Sequence, residues 1–246
     1  MYKEELTVKL LSPGFCGGAD QNQPEIRAAS IRGHLRRWHV LLFNETDMKT
    51  VWGSIGKDCG ASKIQLRVLV DSQSKKQGVL LPHKTKGAGS RECLNAEFTV
   101  FLASRNHEVL ARAFKTLEAW SLFGALGTRA NRAAGSVWPS ERVPSDIQTL
   151  RARLKELGIE KQDIRISKET NQADELRIIA SDTLSISHLF GSANPRKESP
   201  LKIKVIKFFD GMHLLIRAKQ PGVVDSALKE LKKRNKPLAT LNWEKL

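Results

Sequence analysis

Two segments of this chain set arginine and glycine among apolar residues in a way suited to holding phosphate: SIRGHLRRW from Ser30 to Trp38, and LFGALGTRANRAAGSVW from Leu122 to Trp138. In the first, Ser30 is a good helix N-cap, and Ile31, Leu35, Trp38 and Leu42 recur at helical spacing. A helix starting near Ser30 would bury that stripe and leave Arg32, Arg36 and His39 on another. Arg32 would then sit in the first turn, where free amides and the helix dipole favour an anion over a cation. An incoming phosphate resolves that conflict. In the second, Arg129 and Arg132 lie between Gly127 and Gly135, so the loop can approach another backbone closely and surround phosphates with guanidinium forks and amides. It lacks the GK[ST] ending of a nucleotide-binding P-loop and the GxGxxG spacing after a strand. Alone it reads as a glycine-rich turn with surface arginines; together with Arg32, Arg36 and Arg37 it reads as an RNA-backbone clamp.

Residues suited to catalysis are sparser. His34 and His39 are five apart, so they share no helix face and make neither a metal pair nor an acid–base pair. His83, His107, His188 and His213 are scattered, and no nucleophile, base and orienting group assemble from spacing. Cys16, Cys59 and Cys93 are odd in number and contain no CxxC pair, which argues for reduced thiols over a disulfide framework or zinc ribbon. No cofactor or metal is expected.

The elements that must position these residues belong to an ordinary globular chain: 246 residues, 40% hydrophobic, enough for a sizeable core. Lysine and arginine number 41 against 26 acidic residues, and the resulting charge of +15 favours polyanionic partners, nucleic acid first. Lys3, Glu4 and Glu5 precede only a strand-length apolar alternation, and no later run reaches membrane-spanning length, so a cytoplasmic protein without a membrane partner is expected.

Leu6, Val8 and Leu10 alternate as in a strand, as do Ile64 to Val70; Phe98, Val100 and Leu102 suggest a third. Leu110, Ala113, Phe114, Leu117 and Trp120 have helical spacing, ended by Gly124 and Gly127. A strand at Gly135 to Trp138 would complete an α+β, ferredoxin-like (RRM-like) βαββαβ core over residues 1–139. Phe98 and Phe101 would face opposite sides of their strand, and the RNP1 pattern is missing, so base stacking on the sheet is not supported; the tryptophans, Trp38 and Trp120 foremost, read as packing residues. Over 140–246 the expectation is a helix from Ser145 to Leu157 stopped by Gly158, a polar loop from Glu160 to Glu175, and strands alternating with lysines after Pro200. A two-residue type I′ hairpin at Asp210-Gly211 and an amphipathic helix from Val223 to Arg234 follow. That half either packs as one domain with the core or forms a second, degenerate ferredoxin-like unit, and its tail with Leu241 and Trp243 either docks a neighbour or closes the chain's own core.

The run from Leu10 to Trp38, then VWGSIG, ASKIQLRV and the glycine-rich segment, resembles the RAMP superfamily of CRISPR proteins, most narrowly the first-numbered subunit of the type III-B (Cmr) RNA-targeting complex. The resemblance covers the first half of the chain. It implies a ferredoxin-type fold and a noncatalytic antiviral-defence role, holding the 3′ part of the guide RNA and its paired target beside other RAMP subunits. By position it carries the basic helix onto Arg32, Arg36 and Arg37, a preceding loop arginine onto Arg27, a serine-lysine strand start onto Ser62 and Lys63, and the glycine-rich loop onto Gly127, Arg129, Arg132 and Gly135. The chain departs from the pattern at His34, His39, Ala133 and Ala134; His34 either contacts RNA or packs locally. Related backbone subunits cut RNA with an aspartate after the first strand, where this chain has Asp20. Two alternatives therefore stay open: a ribonuclease using Asp20 with a metal or His34 without one, and an architectural subunit with no RNA specificity.

Overall fold

A computed structural model describes residues 1–246 except 19, 21, 57–59, 83–88, 160–161, 183–191, 194–195 and 198; Cys59, His83 and His188 lie outside the described residues. The first half runs β1 (Tyr2–Leu10), α1 (Ala28–Leu42), α2 (Glu45–Trp52), β2 (Gln65–Val79), β3 (Ser90–Ser104), α3 (His107–Phe123) and β4 (Val137–Pro139). Its sheet is antiparallel throughout in the order β2-β3-β1-β4, the ferredoxin-like arrangement. Leu6, Val8, Phe98, Val100 and Leu102 line one face and are buried; Phe98 pairs with Val8 and Phe101 with Glu5, so the two phenylalanines point to opposite faces as expected.

The second half runs α4 (Ile147–Leu157), β5 (Asp163–Ser167), α5 (Ala173–Ser181), a two-residue ribbon of β6 (Ser192–Ala193) with β7 (Arg196–Lys197), β8 (Leu201–Lys207), β9 (Met212–Ala218), α6 (Val223–Lys233) and β10 (Trp243–Lys245). From β5 to β10, the ribbon aside, the order is again βαββαβ, and the sheet order β10-β5-β9-β8 repeats that of the first. The chain therefore builds two ferredoxin-like units. One core cluster runs from Leu6 and Val8 through Trp38 and Trp138 to Ile206 and Leu215, joining the two; a second lies between the second sheet and α5 and α6.

Several boundaries differ from the sequence reading. Helix α1 starts two residues early, at Ala28, with Arg27 at the N-cap and no side-chain cap, because Ala28 and Ala29 are strong helix formers. Ser30 is thus inside the first turn and Arg32 in the second. Helix α2 was missed, although Asn44 caps it by accepting from the Asp47 amide and Met48, Val51 and Trp52 form its buried stripe. Strand β2 extends far past its apolar portion through an exposed polar stretch, Ser72 to Gln77, which carries no alternation to read, while β3 pairs along it with Cys93, Leu94 and Ala96 buried. The last strand of the first sheet is Val137–Pro139 rather than Gly135 to Trp138, since Gly135 takes φ +57° in the loop before it. Helix α4 begins at Ile147 behind a capping box of Asp146 and Thr149.

The expected loop from Glu160 to Glu175 instead holds β5 and the start of α5. Its polar residues mask the strand, because Asp163 and Arg165 are buried as an ion pair at 2.6 Å. The β8–β9 turn is centred one residue early, on Phe209 and Asp210, with the Phe208 amide donating to the Gly211 carbonyl at 2.9 Å. Neither central residue has positive φ, so it is not type I′. The tail closes the chain's own core: Leu241 and Trp243 pack against the second cluster, and the Trp243 indole donates to the Leu238 carbonyl at 3.2 Å.

Candidate nucleic-acid interface

Helix α1 presents two polar faces. On one, an Arg32 fork nitrogen donates to the Ile64 carbonyl at 3.1 Å and an Arg36 nitrogen to the Trp52 carbonyl at 3.4 Å. The Ser62 hydroxyl donates to the same Ile64 carbonyl at 2.8 Å, and Lys63 beside it is exposed. Arg32, Arg36, Ser62 and Lys63 are thereby gathered around one segment following α2. A guanidinium has five N–H donors, so a fork anchored by one bond to a carbonyl keeps geometry for a phosphate. Arg27, at the head of the helix, forms an open ion pair with Glu25 at 3.4 Å.

The other face carries His34 and Arg37, which border a cleft with Ala130 and Asn131 of the glycine-rich loop. Burial, helped by the Arg37 charge, lowers the His34 pKa. The loop itself is fixed by close backbone approach. A Cβ on Gly127 would lie 2.6 Å from the Phe15 carbonyl oxygen, and one on Gly135 would lie 2.0 Å from that of Leu126. Arg129 and Ala133 both have positive φ, a strained conformation for residues with side chains. The Ala133 amide donates to the Ile203 carbonyl at 2.9 Å and the Ile203 amide to the Asn131 carbonyl at 3.2 Å, so the loop covers the β8 edge of the second sheet. Arg129 is half-buried, whereas Arg132 is only 6% exposed. Burial, then the like charge of Arg129, pulls the Arg132 pKa down to about 9.

The two sequence segments therefore meet only in part: His34 and Arg37 share a cleft with the loop, while Arg32 and Arg36 join Ser62 and Lys63 elsewhere. Sequence reasoning missed the second half's share of that cleft, Lys202, Lys204, Arg217 and Lys219. The alternation of lysines with Leu201, Ile203 and Val205 was the available signal.

The candidates for catalysis are occupied in local structure. Asp20 is exposed and accepts from the Asn22 amide at 2.8 Å, an Asx turn. His39 is fully buried between Thr116 and Asp47, each at 2.8 Å; burial lowers its pKa against the opposing pull of the Asp47 carboxylate. His213 ties the Ser167 carbonyl to Asp210, and His107 lies edge-on to Tyr2. Among the described residues, no three His, Cys, Asp or Glu side chains converge as a metal site would require, and no helix is long and apolar enough to cross a membrane.

Comparison with known proteins places this geometry in a lineage. No curated protein matches the chain significantly in sequence. Among solved structures, Cmr1 from Pyrococcus furiosus in its apo form aligns over 89% of this chain and 88% of its own, with a TM-score of 0.64 at 19% identity. A chain of the type III-B Cmr-beta complex bound to cognate target RNA and AMPPnP aligns over 94% of this chain and 98% of its own, with a TM-score of 0.60 at 12% identity. These likenesses establish a shared fold across both units. The RAMP superfamily profile matches residues 7–138, just over half of the sequence and the stretch that carries β1, α1 and the glycine-rich loop, so the chain belongs to the RAMP superfamily.

Proposed function

We propose that this RAMP protein is a noncatalytic RNA-binding subunit of a type III-B CRISPR effector, holding the 3′ part of the guide RNA and its paired target beside other RAMP subunits. The observation that carries the reading is the gathering of Arg32, Arg36, Ser62 and Lys63 from two stretches of sequence onto one surface segment, on a chain of charge +15. Arg27 stands at the head of the same helix; Arg37 lies on the helix's other face beside the glycine-rich loop, which carries Arg129 with Arg132 buried beneath it. Contacts of this kind address phosphate, so base pairing between guide and target supplies the sequence reading. The turn-holding role of Asp20 favours binding over metal-dependent cleavage.

The test is crosslinking in the assembled effector with 4-thiouridine placed in either third of the guide. This subunit is expected to crosslink to the 3′ third, and Asp20→Ala and His34→Ala are expected to leave the pattern of RNA cleavage unchanged. Crosslinks confined to the 5′ third, or a cleavage product lost in either variant, would overturn the proposal.

A further inference from the structure

The two four-stranded sheets have edge strands β2, β4, β8 and β10, and three of these are short or covered. β4 and β10 have three residues each, and the glycine-rich loop covers β8 through the bonds of Asn131 and Ala133 to Ile203. β2 is 15 residues long, and among the described residues no strand pairs with its outer side. Its far end meets α5: the Arg177 guanidinium donates to the Val79 carbonyl, and Lys76 lies 3.7 Å from Asp174. That leaves Gln65 to Gln73 as a bare edge, a row of backbone donors and acceptors on which another strand can add.

The side chains along this edge complement a copy of themselves. Arg67 stands beside Phe101 of β3 and Leu69 beside Thr99, both on the sheet face opposite Val68 and Val100. Asp71 joins them on that face. The register against β3 shifts between Val70 and Ser72, and the Thr99 hydroxyl donates to the Asp71 carboxylate at 2.8 Å. Leu69 is 57% exposed, and Arg67 is exposed and forms no ion pair among the described residues. Antiparallel pairing of β2 with a second β2 about a twofold axis at Leu69 sets Leu69 against Leu69, Arg67 against Asp71 and Asp71 against Arg67. Opposite charges directly across two strands attract, and like charges repel. Moving the axis to Val68 or Val70 sets Leu69 against Arg67 or Asp71 and loses both ion pairs, and in-register parallel pairing sets Arg67 against Arg67. The paired stretch also limits itself, because beyond Gln65 and Gln73 the Lys63 of one chain would face the Lys75 of the other.

We propose that this edge is a contact between two copies of the chain, in which β2 pairs antiparallel with β2 and joins their first sheets into one continuous sheet. A twofold contact presents the same patch twice and must be self-complementary, a condition that Arg67, Leu69 and Asp71 meet together. The main-chain ladder supplies attraction, and these three side chains set the register. The contact uses neither Arg32 nor Arg36 and is independent of the RNA reading.

The test is sedimentation velocity of the nuclease-treated full chain over about 1 to 100 µM, a range that registers a weak association. The wild type is expected to dimerise reversibly. Arg67→Glu and Asp71→Lys are each expected to weaken the dimer about tenfold or more, because one substitution turns both ion pairs of the twofold contact into like-charge pairs. The two reversals move the net charge of the chain in opposite directions, so general repulsion does not account for losses in both. Arg67→Glu/Asp71→Lys exchanges the charges and is expected to bring the affinity back to within about threefold of the wild type. Should a reversal unfold the chain, Leu69→Lys sets two ammoniums together on the axis and is expected to abolish the dimer. A chain that stays monomeric throughout would overturn the proposal, as would a dimer that every variant leaves intact. Single losses that the exchange does not restore would overturn it too, and would point to a strand of a different protein opposite these charges.

Discussion

Gly135→Ala is expected to destabilise the protein by about 3 kcal/mol or more, the sum of a strained backbone and an overpacked core. Gly135 has φ +57°, and its missing Cβ would stand 2.0 Å from the Leu126 carbonyl oxygen, a backbone atom that cannot rotate away. The Gly135 amide donates to the Pro13 carbonyl at 2.9 Å, and its carbonyl accepts from the Leu126 amide at 2.8 Å. Relief by backbone movement would break those bonds and withdraw Ala133 from Ile203, so damage in the loop reaches both units. Urea unfolding of the full chain measures the effect. Gly158→Ala is the fitting comparison, because Gly158 also has positive φ, +72°, but nothing stands within 4 Å of its added Cβ. It should show only the conformational cost, about 1 kcal/mol. Equal losses at the two positions would mean that close packing of the loop contributes nothing.

Arg165→Ala is expected to cost about 3 to 5 kcal/mol, the range for removing one partner of a buried ion pair. The Arg165 side chain is 8% exposed and bonds Asp163, itself 2% exposed, at 2.6 Å; its other fork nitrogen reaches Asp225 at 2.7 Å. Asp163 also accepts from the Val224 amide at 3.0 Å, which caps the start of α6 from the neighbouring strand. Alanine would leave a carboxylate buried without its cation beneath a helix end. Unfolding followed by calorimetry should show a lower transition temperature, partly restored in the double variant Asp163→Asn/Arg165→Met, where no unpaired charge stays buried. A loss below about 1 kcal/mol in Arg165→Ala would show that water reaches the pair and screens it.

This ion pair also explains where the sequence was hard to read. The first unit was legible because its central strands follow the half-buried rule: Leu6, Val8 and Leu10 inward, Lys3, Glu5, Thr7 and Lys9 on the other side. In β5 both faces are buried: Ile164 and Ile166 join the core cluster that links the two units, while Asp163 and Arg165 pair with each other and with the start of α6, so polarity ceases to mark solvent. The lysines of β8 misled in the opposite direction, since the sequence shows their alternation but not that a second wall stands across from them. Four of the five tryptophans, Trp38, Trp52, Trp120 and Trp138, are buried, as their apolar surroundings indicated.

The candidate site was legible in its residue types and less so in their grouping. Helical spacing places Arg32 and Arg36 on one face and Arg37 on another, yet only the fold shows that the first two lean on the Trp52 and Ile64 carbonyls while Arg37 turns toward β8 and β9. The glycine-rich loop is built first as a structural joint, with Arg129 carried on its open side and Arg132 underneath.

The most direct measurement of the central claim is a salt titration of duplex RNA binding for the wild-type chain and Arg36→Ala/Lys63→Ala, on two duplexes of unrelated sequence. RNA held through its phosphates should give steeply salt-dependent affinities that agree between the duplexes, with a slope shallower by about 2 in the variant. Affinity that differs strongly between the sequences, or a variant with the wild-type slope, would contradict the account.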